Sequence, residues 1–286
     1  MPTPFRIAAI TDEFSPDLET ALHSMAEIGM TGAELRMVFG KNVIDLSDEE
    51  LERAIALVHG RGMQIISIAS PLLKCVLPDA PEVDARFQQD MFASKHTFAD
   101  QPRLTARAFE IARRTGAPII RVFSYWRTVR PEECFDRVVS ALGALAETAA
   151  PEGITIGLEN EHACNIATGT ETGRLLAALD HPNLKVVWDP ANAMVSGERP
   201  FPDGYGRLPA SKIAHVHAKD YRSGWVELGK GDVDWEGQIA ALRADGYTGW
   251  ISLETHWPGP GGDKHEASRI CGRNLKALAG QAKQRT

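Results

Sequence analysis

Short runs of apolar and β-branched residues alternate with longer amphipathic stretches along this chain, and the alternation occurs eight times. The short runs are RIAAIT from Arg6, GAELR from Gly32, QIISIAS from Gln64, IIRVFS from Ile119, TIGLEN from Thr155, KVVWDP from Lys185, KIAHVHAKD from Lys212 and WISLET from Trp250. Their length and polar boundaries predict strands. The stretches between them, such as DLETALHSMAEIG, SDEELERAIALVHGRG, RLTARAFEIARRTG, CFDRVVSALGALAETAA, TGRLLAALD, WEGQIAALRADG and HEASRICGRNLKALAG, space their apolar residues as one face of a helix. Ser47-Asp48-Glu49-Glu50 has the spacing of a capping box, and Gly29, Gly62, Gly116, Gly153 and Gly246 each stand shortly before the next strand, where a helix is expected to stop. Eight strand–helix units in 286 residues is the size of a (β/α)8 barrel, so the prediction is an α/β chain forming a single TIM-barrel domain over residues 1–286. A doubly wound open sheet has the same alternation, but the first βα turn, TDEFSPD, carries neither GxGxxG nor a P-loop. No linker-like stretch divides the chain. Two irregular stretches, Pro71 to about Gln101 and Ser196 to about Ala210, follow strands three and six; in a barrel they fall on the catalytic face, where long loops act as lids or substrate walls.

Composition narrows the class. Apolar residues make up 43% and charged residues 24%, the balance of a globular protein, which excludes disordered and fibrous architectures. No run approaches the roughly 18 apolar residues of a membrane span, and the N-terminus reaches Asp12 and Glu13 without a basic region and long apolar core, so neither membrane insertion nor export is expected. Cys75, Cys134, Cys164 and Cys271 are far apart with no CxxC spacing, which fits reduced thiols in a cytoplasm. The net charge of −7 argues against a nucleic-acid partner.

Candidate chemistry collects at the ends of strands five to eight, in Leu158-Glu159-Asn160, Trp188-Asp189-Pro190, His215-Val216-His217 and Leu253-Glu254-Thr255. A strand turns alternate residues to opposite faces. If Ile156, Leu158, Val186, Trp188, Ala214, Val216, Ile251 and Leu253 face the helices, then Glu159, Asp189, His217 and Glu254 face the barrel axis. A lone acid at a strand end is commonly a cap or a surface charge. Four inward ionisable groups without a counter-ion would repel and be costly to desolvate, so the set points to one divalent ion: Mn2+ first, with Mg2+, Co2+ or Zn2+ as alternatives.

The strings LEN, WDPAN, HVHAKD, LGKGDVDW (Leu228 to Trp235) and SLET, in this order and at these strand ends, resemble the xylose-isomerase-like TIM-barrel superfamily. That group includes sugar-phosphate isomerases and epimerases, ketose 3-epimerases, inosose dehydratases, hydroxypyruvate isomerases and endonuclease IV. The resemblance, from about Arg6 to Ala279, implies that Glu159, Asp189, His217 and Glu254 bind the metal and that His215 lies deeper, as a packing or supporting residue. It also marks departures. Where ketose 3-epimerases carry a substrate-contacting His three residues after the ligand Asp, this chain has Asn192; where they carry an Arg six residues after the ligand His, it has Ser223, with Arg222 adjacent. The additional His ligands of endonuclease IV are replaced by Leu35-Arg36-Met37 and Ala69-Ser70-Pro71, and its seventh-loop DxH by Gly231-Asp232-Val233-Asp234, which disfavours phosphodiester cleavage.

Further expectations concern the substrate, read as a small sugar or sugar derivative. Asn192, Lys219, Arg222, His162 and His256 are the candidate contacts, with Lys219 placed to neutralise a carboxylate, phosphate or enolate, or else paired to Asp220. Glu161 beside His162 is a further loop candidate, Trp126, Trp225, Trp257 and Phe14 are candidates for stacking, with core or rim packing the commoner role for any one of them, and Glu34 and Arg121 are expected to form a buried pair. The glycine-rich stretches after strands seven and eight, Gly229 to Gly231 and Gly259 to Gly262, are the places where a phosphate cradle would fall. Metal-bound carboxylates in a barrel mouth suggest proton abstraction beside a carbonyl through a metal-stabilised enediolate, with Glu159 and Glu254 as the acid–base pair on opposite substrate faces. The leading expectation is a sugar or sugar-phosphate isomerase or epimerase. A dehydratase of the inosose or dehydroshikimate kind is the alternative, followed by a nuclease and a sugar-binding barrel without chemistry. A homo-oligomer is compatible with any of them.

Overall fold

The computed structural model describes residues 5–87 and 95–280. The middle of the long loop expected after strand three, residues 88–94, lies outside them. Eight strands, β1 (Arg6–Ile10), β2 (Gly32–Leu35), β3 (Gln64–Ala69), β4 (Ile119–Val122), β5 (Thr155–Glu159), β6 (Leu184–Trp188), β7 (Ile213–Ala218) and β8 (Trp250–Leu253), pair in parallel and in sequence order, and β8 pairs with β1 to close the barrel. All eight predicted strands are present. The helices α1 (Leu18–Ile28), α2 (Asp48–Gly60), α3 (Gln101–Thr115), α4 (Phe135–Ala149), α5 (Gly169–Ala178), α6 (Pro190–Val195), α7 (Trp235–Ala244) and α8 (Lys264–Gly280) each follow the strand of the same number.

The helices form where spacing and caps agree. In α3, Leu104, Ala108, Ile111, Ala112 and Thr115 lie on one buried stripe, and each large apolar side chain buried this way contributes about 2 kcal/mol. Ser47 and Glu50 form the expected capping box at α2, with bonds of 3.2 Å and 2.8 Å. Gly29 ends α1 with φ of 93°, a conformation that disfavours a Cβ. Two features escaped the periodic reading. The turn after β1 is a one-turn helix, Thr11–Phe14, and α6 is only six residues long, too short to show a helical period.

The strand phase is the predicted one. Ile156, Leu158, Val186, Trp188, Val216, Ile251 and Leu253 belong to the main core between barrel and helices, while Ala214 is half-buried. Inside the barrel a small separate cluster, Ala8, Ile66 and Trp250, closes the lower end. Gly32 makes room there, since a Cβ on it would lie 2.9 Å from both Ala8 and the Trp250 ring. Above this plug the interior is polar: Glu34, Ser67, Arg121, Glu159, His215, His217 and Ser252 are all buried. Among the described residues no helix is long and apolar enough to cross a membrane.

Candidate metal centre

Glu159 is the last residue of β5, His217 lies near the end of β7, and Asp189 and Glu254 directly follow β6 and β8. One donor atom from each falls within 4.8 Å of the others, and all four residues are buried. The segments that hold them are built by short polar links. Asn160 clamps the ends of β5 and β6 together, its amide donating to the Asp189 carbonyl at 2.8 Å and its oxygen accepting from the Asp189 amide at 2.8 Å. Asp189 also caps α6, accepting from the Asn192 amide at 2.9 Å.

Cations surround these acids. Lys219 donates to Glu254 Oε2 at 2.5 Å and lies 2.9 Å from Asp189 Oδ2. Its partners are thus the protein's own candidate-ligand carboxylates, not the alternative partner Asp220. Asp220 instead accepts from the backbone amides of Tyr221, Gly229, Gly231 and Val233. The LGKGDVDW motif is therefore a loop wound around Asp220, the aspartate that ends the preceding HVHAKD string. Those amides are consumed and offer no phosphate cradle, and a Cβ at Gly231 would sit 2.0 Å from Asp220 Oδ1.

Electrostatics follow from burial and neighbours. Burial pushes the Asp189 carboxyl up to about 6, with Glu254 and Glu159 adding to the effect and Lys219 opposing it. At Glu254 burial acts in the same direction but is outweighed by Lys219 and His256, which hold it well below the usual carboxylate range. Burial lowers the His217 imidazole, but Glu34 and Glu159 outweigh it and hold the group well above its ordinary value.

A cavity of about 570 Å3 opens above this cluster, lined among others by Arg36, Lys74, His162, Trp225, Glu254 and His256. Of the four candidate ligands only Glu254 is on its wall. Glu159 lies behind, held by Arg121 at 3.1 Å, His217 at 3.2 Å and the Asn192 amide at 3.4 Å. His162 lines the cavity and contacts Asn192 Oδ1 at 2.9 Å. His256 lies 3.5 Å from Glu254, with its ring edge-to-face on Trp225 at 4.6 Å.

Two expectations are corrected. Arg222 points away from the site: it is exposed and binds Asp232 at 2.7 Å, because the chain reverses at Ser223 with φ of 49°. Glu34 and Arg121 do not pair; Arg121 binds Glu159, and Glu34 reaches His217 and His215. Among the proposed stacking aromatics Trp225 lines the cavity, whereas Phe14 is in the core. Two contributors were overlooked. Arg36 donates to Asp12 at 2.8 Å, Glu13 at 2.5 Å and Glu254 at 3.1 Å, and it shares the inward phase of Glu34, a signal present in the sequence. Lys74 lies over the Phe123 ring at 4.7 Å; it follows β3 in a loop, where phase gives no guide.

A closed parallel barrel with acids and imidazoles gathered at the C-terminal ends of its strands defines a TIM barrel with an enzyme-like mouth. The sequence matches the xylose isomerase-like TIM barrel family over residues 22–275, and the chain belongs to that family. An inosose dehydratase from Clostridium beijerinckii is 24% identical over 272 residues, covering 85% of this chain and 86% of the relative. Other inosose dehydratases match over shorter segments, and the chain spans about half the length of those relatives. Among solved structures, the probable 3-DHS dehydratase AsbF from Bacillus anthracis superposes with a TM-score of 0.71 at 21% identity, covering 97% of this chain and 100% of that one. The 3-keto-D-glucoside 4-epimerase YcjR from E. coli does so with a TM-score of 0.70 at 18% identity, covering 96% and 99%.

Proposed function

We propose that this protein is a divalent-metal-dependent lyase that removes water from a cyclic keto-polyol of the inosose kind. The observation that carries this reading is the asymmetry of the two glutamates. Epimerisation needs a base on each substrate face; of the two glutamates Glu254 alone is on the cavity wall, Glu159 is tied behind it by Arg121, His217 and Asn192, and the other wall glutamate, Glu161, is held by Asn192 at 3.2 Å and His162 at 3.1 Å. Dehydration needs one base and a nearby acid, and His256 is 3.5 Å from Glu254 on the same wall. The names of the curated relatives support the same choice over isomerisation.

Glu159, Asp189, His217 and Glu254 would hold the ion, and three buried carboxylates with one imidazole fit a divalent cation such as Mn2+. When bound, such an ion supplies a Lewis acid for the substrate carbonyl, which acidifies the neighbouring C–H. Glu254 accepts that proton. As the new C=C bond forms, the bond from the β-carbon to its hydroxyl breaks, and His256 donates a proton to the departing oxygen, which leaves as water. Glu254 then returns its proton to His256 across their 3.5 Å separation, closing the cycle. Trp225 offers an apolar face to a ring and His162 and Lys74 offer polar groups to its hydroxyls, whereas Asn192 is buried off the cavity wall with its side chain bonded to His162, Glu159 and Glu161.

Two variants test the assignment in D2O with the metal-loaded enzyme and an inosose. Glu254→Gln keeps an oxygen donor but loses the base, so both α-proton exchange and dehydration fall by about 100-fold or more. His256→Ala preserves exchange but lowers dehydration by roughly a thousandfold, within the range of a lost general acid. A loss of tenfold or less in His256→Ala, about what mispositioning alone gives, together with inverted substrate, would return the reading to an epimerase.

A further inference from the structure

Below the candidate ligands the barrel encloses two side chains that the chemistry above leaves unused, Glu34 from β2 and His215 from β7, both fully buried. The contact between them spans the barrel, because β2 and β7 are separated by β1 and β8. Glu34 Oε2 lies 3.0 Å from His217 Nε2, and Glu34 Oε1 contacts His215 Nε2. The two imidazole rings stand perpendicular, 5.2 Å apart. On its other edge, His217 turns Nδ1 toward Glu159 at 3.2 Å and Glu254 at 3.7 Å. The β2–β3 pairing shifts register between Ala33 and Glu34, the kind of irregularity that re-aims a side chain.

An ionised carboxylate only accepts hydrogen bonds, so the His217 nitrogen facing Glu34 keeps its N–H, and Nδ1, on the side of Glu159 and Glu254, is the nitrogen that gives up its proton and offers a lone pair when an ion binds. We propose that Glu34 is a positioning residue that fixes His217 as an Nδ1 metal ligand, with His215 as the second donor that holds the Glu34 carboxylate in place. This rests on the reading of Glu159, Asp189, His217 and Glu254 as a metal centre. A purely structural role explains the arrangement poorly, because a buried carboxylate between imidazoles is no more stabilising than apolar residues of similar volume. Orienting a ligand and fixing its tautomer is what a carboxylate behind a metal-bound imidazole does.

The test titrates the full-length metal-free protein and its Glu34→Gln variant with Mn2+ and with Zn2+ by calorimetry, and records nitrogen NMR of the zinc-loaded wild type labelled at histidine. Glutamine cannot accept from both imidazoles, so affinity is expected to fall about 10- to 100-fold. The melting temperature without metal is expected to stay within about 4 °C. The wild-type spectrum should show His217 protonated at Nε2 and ligated at Nδ1, a readout that does not depend on the variant folding. Affinity within twofold of wild type in a folded Glu34→Gln protein, or ligation through Nε2, would overturn the inference while leaving the metal centre intact. A wild type that binds neither ion would overturn the metal centre itself.

Discussion

At Asp189, burial and two neighbouring carboxylates oppose ionisation, and at His217, two carboxylates outweigh burial and favour the protonated ring. A metal ligand must release its proton, so both groups make binding depend on pH. Asp189 is raised to about 6, and below that value a proton competes with the ion; His217 is held well above its ordinary value and must shed its Nδ1 proton. Metal affinity is therefore expected to rise with pH through about 6 and beyond. Calorimetry in buffers of different ionisation enthalpy should count more than one proton released per ion near pH 6. Affinity that is flat across this range would mean that neither group is a ligand. The sign for metal-free stability is opposite to that of a depressed carboxylate. A raised Asp189 contributes stability that is present at low pH and is lost as pH rises through about 6, and a bound ion removes that loss.

At the scale of elements, the site depends on loops that hold themselves in shape. The segment after β7 forms a hairpin, Asp220–Tyr221 with Trp225–Val226, and the Asp220 carboxylate gathers the glycine loop that follows. Gly231→Ala would drive a Cβ into that carboxylate, so a loss of about 1–3 kcal/mol is expected, with Trp225 displaced from the cavity. Chemical denaturation and quenching of tryptophan fluorescence by substrate would measure the two effects. A variant with wild-type stability would show that Asp220 does not organise the loop. The same elements show what the sequence could reveal. Alternation placed eight strands and the inward phase of Glu159, Asp189, His217 and Glu254, because a strand's period of two is a local property. Arg36 obeyed that phase and was passed over only because it has no metal-ligand chemistry. The partnership of Glu34 with His217 was not legible, since it depends on barrel closure bringing β2 opposite β7. Arg222 failed for a different reason: it stands one residue short of the six-residue spacing from His217, which falls on Ser223, and the left-handed turn at Ser223 leaves Arg222 in solvent.

For the whole molecule, the barrel separates functions by depth. An apolar plug of Ala8, Ile66 and Trp250 closes the lower end, a carboxylate and imidazole layer lies above it, and the cavity wall carries Glu254, His256 and Trp225. Closure lets strands distant in sequence share one centre, and of the four candidate ligands it leaves Glu254 alone on the cavity wall. The most direct test of this account is to incubate the metal-loaded protein with an inosose in D2O and follow substrate and product by mass spectrometry. The account predicts a product lighter by one water, formed only when metal is present, with no accumulation of an epimer. Deuterium entering beside the carbonyl of an inverted substrate, with no water lost, would contradict it.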